Sequence, residues 1–310
     1  MSVAAPLGGA ETLAGLPQGL VRHDPARPLA FMHVPKTAGI AMIGGLAGAL
    51  RPRRVVSGFD RSLFGAFDGF DTIDPDLRRH IYASPAEVPR DGDFIAGHMA
   101  PSTLVASYPD AQLVTCLREP RARLLSHWVY WRAQPADHVS AWGSWARISL
   151  TGRDPLADFL GRRDIACQTD NLALRLLLWP NKLLPPDDFI AEHDDDALLE
   201  AALMRLRGFA YADVVENPRL VANASAWCGR PVTFPVANAT PAVPAEFRVP
   251  LRRELTALAY DRLCARSRLD LWLWTAVAER QAPGVDVARL CEYAVAQAVA
   301  RCSELLCGGG

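Results

Sequence analysis

A short apolar run that ends in a Pro-Lys loop and passes directly into small and apolar residues constrains this chain more than any other feature. Leu29 to Val34 (LAFMHV) has the length and unbroken apolarity of a strand buried on both faces, and Gly39 to Leu50 has the composition of a packed helix. The same order returns downstream. Asp93 to Ala96 is a candidate strand ending at Gly97-His98, and Gln112 to Leu117 (QLVTCL) is a stronger one. Pro120 stands where the first turn of a following helix begins, Glu119 suits the positive end of its dipole, and Leu124, Leu125, Trp128 and Trp131 recur at helical spacing. Two strand-loop-helix units predict an α/β fold with a central parallel sheet flanked by helices.

The rest of the chain is organised around that core. Residues 1–28, rich in Ala, Gly, Pro and Leu without a clear period, read as a loose N-terminal leader, and the main domain spans 29–281. Residues 133–165, with Trp142, Trp145 and several arginines, read as an insertion or lid. Segments 168–179, 196–207, 217–228, 246–264 and 267–281 carry helical apolar patterns and predict a helical C-terminal portion, while 230–250 reads as a proline-rich loop. Residues 282–310 form a C-terminal helical tail to which the sequence assigns no role.

Composition excludes several classes. Half of the 310 residues are hydrophobic, enough for a full core, and a net charge of −1 provides no global field for nucleic acid or an anionic membrane. Seven cysteines without a CxxC pair argue against a zinc site, and their odd number against a disulfide framework, so a reducing compartment fits. No basic start precedes an apolar run and no stretch approaches the ~20 apolar residues of a membrane span. The expectation is a soluble, cytoplasmic protein. Of 33 lysines and arginines, only Lys36 and Lys182 are lysine, which singles out Lys36 as a compact ammonium in an arginine-rich chain.

Lys36 lies in His33-Val34-Pro35-Lys36-Thr37-Ala38-Gly39, between a predicted strand and a predicted helix. Backbone N–H groups of a tight loop and a first helical turn suit an anion, and the lysine adds a point charge. The Walker pattern GxxxxGK[ST] is absent, which argues against a P-loop kinase or related phosphotransferase. A second block, LREPRARLLSHW, places Arg118 at the end of a strand and Ser126 two helical turns later. An arginine fork and a hydroxyl there can hold a phosphate.

Together the two blocks resemble the carbohydrate sulfotransferases that use 3′-phosphoadenosine 5′-phosphosulfate (PAPS), the group that includes the heparan sulfate 2-O- and 6-O-sulfotransferases and bacterial relatives. HVPKTAG is similar to that family's 5′-phosphosulfate loop, commonly PKTAGTS, and TCLREPRARLLSHW to its 3′-phosphate element, LRDPxxRxxSxY. The blocks stand in the family's order, and weaker similarities follow at Gly97-His98, 167–177, 208–217, 236–240 and 268–280. The resemblance implies a P-loop-like sulfotransferase fold and transfer of a sulfuryl group from PAPS to a carbohydrate or glycosylated acceptor, with release of PAP and no metal. It implies that Lys36 contacts the phosphosulfate, that Thr37, Ala38, Gly39, Ile40 and Ala41 wrap the 5′-phosphate, and that Arg118 and Ser126 hold the 3′-phosphate. Ile40-Ala41 departs from the family's Thr-Ser and removes two hydroxyl donors. Glu119 and Trp128 replace the commoner Asp and Tyr. A noncatalytic nucleotide-binding protein of the same descent is the alternative.

Sulfuryl transfer needs a base for the acceptor hydroxyl, and imidazole can take that proton near neutral pH. By the resemblance His98, in the GH element before the second block, is the first candidate, ahead of His33 and His127. Lys36 is the complementary catalytic group, stabilising charge on the leaving phosphate oxygen. Trp128, Tyr130, Trp131, Trp142 and Trp145 are either acceptor surface or core. Eight arginines between Arg118 and Arg163 outnumber four acids, which suits an anionic ligand. The run Asp194-Asp195-Asp196 reads as a helix start rather than a metal site.

Overall fold

The structure, a computed structural model, describes residues 22–235 and 240–307. Six strands are present among them: β1 (Leu29–Met32), β2 (Val55–Asp60), β3 (Ile81–Tyr82), β4 (Phe94–His98), β5 (Gln112–Leu117) and β6 (Tyr211–Val214). All pair in parallel, in the order β3-β2-β4-β1-β5-β6. β1 is central, and its side chains alternate between two cores. Leu29 and Phe31 enter one, Ala30 and Met32 the other, and all four are buried, which is why the run is apolar throughout.

The longer helices are α1 (Gly39–Leu50), α2 (Pro101–Ser107), α3 (Pro120–Arg132), α4 (Leu156–Gly161), α5 (Leu172–Leu178), α6 (Asp195–Arg207), α7 (Leu220–Cys228), α8 (Ala257–Gln281) and α9 (Val287–Cys307). On one face of the sheet Met42 and Leu46 of α1 and Trp227 of α7 pack against Phe31 and Val114. On the other, Leu104 of α2, the leucines of α5, Leu203 of α6 and Leu273 of α8 pack against Met32, Ile95 and Leu113. A third cluster joins α3, α4 and the start of α8 to Cys302 and Leu306 of α9. The expected α/β architecture, a parallel sheet flanked by helices with a helical C-terminal portion, is therefore present.

Three expected elements differ in detail. The helix expected over 168–179 is split at Asn171, which is left-handed (φ 47°). Its side-chain oxygen accepts from the Leu269 N–H (2.8 Å), and Asp270 accepts from the N–H groups of Ala173 and Leu174 at 3.0 and 2.9 Å, so a tertiary cap restarts the helix as α5. The segments expected at 246–264 and 267–281 become a short turn, Leu251–Glu254, and one unbroken α8 that starts where Thr256 accepts from the Ala259 N–H at 3.2 Å. The insertion at 133–165 folds as short helices, including Ala136–Ser140 and Ala146–Leu150, packed beside α3.

Asp195 and Asp196 occupy the first turn of α6, as a helix-start reading expects, and Asp195 pairs with Arg268 at 2.6 Å. No cluster of His, Cys, Asp and Glu able to hold a metal occurs among the described residues. All seven cysteines are unpaired, and no described helix is long and apolar enough to cross a membrane. Residues 22–28, the end of the expected leader, are tied to the sheet: the Asp24 N–H donates to the Gln112 side chain (2.8 Å), which donates back to the Asp24 carbonyl (2.9 Å). Residues 1–21, 236–239 of the VANAT segment and 308–310 lie outside the described residues.

Candidate active site

β4, β1 and β5 are neighbours, so their C-terminal ends bring His98, the His33–Ala38 loop and Arg118 to one edge of the sheet. α1 leaves β1 toward one face and α2 leaves β4 toward the other, and the edge opens between them. A cavity of about 520 Å³ lies there, lined by Lys36, Ala38, Gly39, Ile40, Ala41, His98, Arg118 and Ser126 among others. Residues from both sequence blocks, about 80 positions apart, thus share one wall.

The loop is under backbone constraint. Lys36 (φ 68°) and Ala38 (φ 56°) are both left-handed without being glycine, a conformation that costs of order 1–3 kcal/mol each and is retained where it aims groups for a purpose. Thr37 is buried, and its hydroxyl donates to the Val34 carbonyl at 2.9 Å, so its side chain fastens the loop and does not line the cavity. No side chain caps α1 and no acidic residue occupies its first turn, which leaves the positive helix end available to an anion. Gly39 has a specific steric reason: a Cβ there would lie 1.9 Å from the His33 ring. Ile40 is exposed at the cavity although it is apolar.

Lys36 extends its ammonium over the Tyr130 ring, 4.0 Å from the centroid, and 3.4 Å from the Thr240 hydroxyl. Burial, reinforced by the Arg118 guanidinium, lowers its pKa to about 8. Arg118 donates to the Lys36 carbonyl at 3.3 Å, which ties the second block to the first. Ser126, one helical face along α3, lines the same cavity. α3 itself starts with Glu119, whose carboxylate accepts from the Ala122 N–H at 2.7 Å and pairs with Arg121 at 2.6 Å.

The three histidines are sorted by their hydrogen bonds. Nδ1–H of His98 donates to the His33 carbonyl at 2.5 Å, which leaves the lone pair on Nε2, and burial lowers the pKa to about 4. His98 is therefore neutral at pH 7 and in the tautomer a base requires. His33 fills the space above Gly39 and stacks on His98 with ring centroids 4.3 Å apart. Burial, with the nearby His98 and Lys36, keeps it well below the usual histidine range. His127 is the reverse of His98: Arg123, a pure donor, gives a hydrogen bond to its Nδ1 at 3.3 Å, so the proton resides on Nε2. That Nε2 is buried and has no partner among the described residues. His127 borders the cavity.

Of the five aromatics singled out from the sequence, Trp128 is in the core, with its indole N–H donating to the Asp154 carbonyl at 3.1 Å. Trp131 and Trp145 are buried in the same core and reach the cavity wall, which Tyr130 and Trp142 line with partly exposed rings. Sequence reasoning missed Phe59 and Phe64, which complete the aromatic wall; four phenylalanines between positions 59 and 70 were the available signal. It also missed Arg123, which is buried and orients His127.

Compared with protein-family models and with curated proteins, the chain matches none significantly.

Proposed function

We propose that this chain transfers a sulfuryl group from PAPS to an acceptor hydroxyl and releases PAP. The observation that carries this reading is the convergence, in one cavity, of Lys36 on a left-handed loop, Arg118 with Ser126, and a neutral His98 whose Nδ1 is already committed. Among the described residues the cavity wall contains no aspartate or glutamate, so a magnesium-bound nucleotide of a phosphotransferase would find no carboxylate ligand from them.

The groups present fit an anionic donor. Lys36, Arg118 and the uncapped start of α1 provide positive charge, Ser126 provides a hydroxyl, and the buried Nε2–H of His127 provides a donor with nothing yet to donate to. Backbone groups of 38–41 carry the load that hydroxyls would share in a Thr-Ser loop, because Ile40 and Ala41 offer none. When bound, PAPS supplies the sulfuryl group: its sulfur–oxygen bond to phosphate breaks as the acceptor oxygen–sulfur bond forms, and the electron pair leaves on the phosphate oxygen. His98 Nε2 takes the proton from the acceptor hydroxyl. Its Nδ1–H···O=C bond holds the ring in place and stabilises the imidazolium that results. In this reading Lys36 neutralises the departing oxygen with its ammonium, a contribution made mainly in the transition state. The resemblance implies a carbohydrate acceptor, and an odd number of cysteines without a CxxC pair favours a reducing, cytoplasmic setting.

Calorimetric titration with PAP tests the donor site without an acceptor. The wild-type chain should bind PAP saturably, and Lys36→Ala and Arg118→Ala should each weaken binding by roughly tenfold or more, as loss of a charge-assisted contact does. A folded wild-type chain that fails to bind PAP rejects the reading.

A further inference from the structure

Resting on the sulfuryl-transfer reading, we propose that the acceptor carries its hydroxyl on a flat, apolar aromatic body, as a phenol or naphthol does, rather than on the sugar that the resemblance implies. The ring of Phe59 lies 5.5 Å from that of the candidate base His98, Trp142 lies 5.6 Å from Phe59, and Phe64 lies 6.5 Å from Trp142 and 5.0 Å from Trp145. A continuous set of rings therefore leads away from the base: Phe59 and Trp142 present partly exposed faces, and Phe64 and Trp145 back them from the core. Phe59 is placed there by the sheet, paired in register with His98 across β2 and β4. The tryptophans come from the 133–165 insertion, so two distant segments supply one aromatic surface.

Leu63, Leu77 and Val139 add apolar wall beside these rings, and two neighbouring polar side chains spend their amide donors on the protein. The Gln168 amide donates to the Leu63 carbonyl, and the Gln134 amide to the Tyr130 carbonyl at 3.0 Å. Lys36 and Arg118, the two basic residues with permanently or mainly charged side chains in the wall, belong to the donor side. A sugar offers a hydroxyl at nearly every carbon, more than polar side chains such as His138 and Ser149 in this mostly apolar stretch of wall can partner. An aryl body has one hydroxyl to satisfy and a face suited to offset or edge-on ring packing. The chemistry of the base agrees. An imidazole held at low basicity by burial abstracts a proton more readily from a phenol, whose pKa is about 10, than from an alkanol.

The test titrates PAP-saturated protein with 2-naphthol and, in parallel, with methyl β-glucoside, and follows PAPS consumption with each. The expected result is binding of 2-naphthol roughly tenfold or more tighter than the glucoside, with PAPS consumed in its presence; Trp142→Ala weakens naphthol roughly tenfold and Trp142→Phe restores most of the loss. PAP affinity of the variants reports that they are folded. Equal or tighter binding of the glucoside, or naphthol binding indifferent to Trp142→Ala, overturns the proposal. Naphthol binding without any PAP binding instead rejects the donor, and with it the sulfuryl-transfer reading, while the aromatic ligand class stands.

Discussion

If Lys36 binds the donor as an ammonium, PAP binding must draw a proton onto the protein at alkaline pH, and the amount follows from the structure. Burial and the Arg118 charge hold Lys36 at about 8 in the free protein. An anion beside it restores the charged form and moves that pKa upward. At pH 8 about half of the free molecules carry a neutral Lys36, so binding takes up about 0.5 proton; at pH 9 the uptake is about 0.9, and PAP affinity is about tenfold weaker than at neutral pH. The sign is fixed: the deprotonated form binds less well, so affinity falls as pH rises through the free-state pKa. Calorimetry in buffers of different ionisation enthalpy counts these protons directly. Lys36→Ala should abolish the uptake, and Arg118→Ala, which removes one of the charges holding Lys36 down, should reduce it at pH 8. Binding that takes up no proton at pH 9, or an uptake that persists in Lys36→Ala, refutes the assignment.

Two further perturbations separate the remaining roles. His98→Ala should lower turnover by about 10²–10⁴, the usual worth of a general base, while PAP affinity stays within about twofold; an active variant in a PAP-release assay removes His98 from the mechanism. Gly39→Ala puts a methyl 1.9 Å from the His33 ring and should cost about 1–3 kcal/mol in a denaturant melt. An unchanged midpoint would mean that His33 does not occupy that space.

What could be read from the sequence were features that stand close together along the chain. β1, the loop and α1 follow one another within 22 residues, and β5, Arg118 and α3 do so again, so local apolar runs and cap residues were sufficient to predict them. β2 and β6 escaped notice for different reasons. VVSGFD has only the alternating burial of a strand near the sheet edge, and YADV carries Asp213 in its middle, fully buried because Tyr211, Asn217 and the Val214 N–H satisfy its carboxylate. No local pattern announces a partner set of that kind. The break at Asn171 was hidden for the same reason, since its cap comes from α8 nearly 100 residues later.

The site shows the same division. Lys36 and Arg118 follow strands that sequence alone locates, and Ser126 lies midway along the helix after the second, whereas the states of the histidines depend on what the fold places around them. His98 and His127 look alike in sequence, yet a carbonyl on one and a guanidinium on the other make the first an acceptor and the second a donor. Burial then acts on both catalytic candidates at once, holding His98 near 4 and Lys36 near 8. Under the proposed reading this poise is corrected by the donor itself. The negative charge of bound PAPS raises both values, so Lys36 becomes fully charged where an oxyanion will form and His98 becomes a stronger base only once the group to be transferred is in place. Before that, a weakly basic His98 has little drive to deprotonate an acceptor that arrives first. Order of binding would thus be encoded in electrostatics, without any moving part.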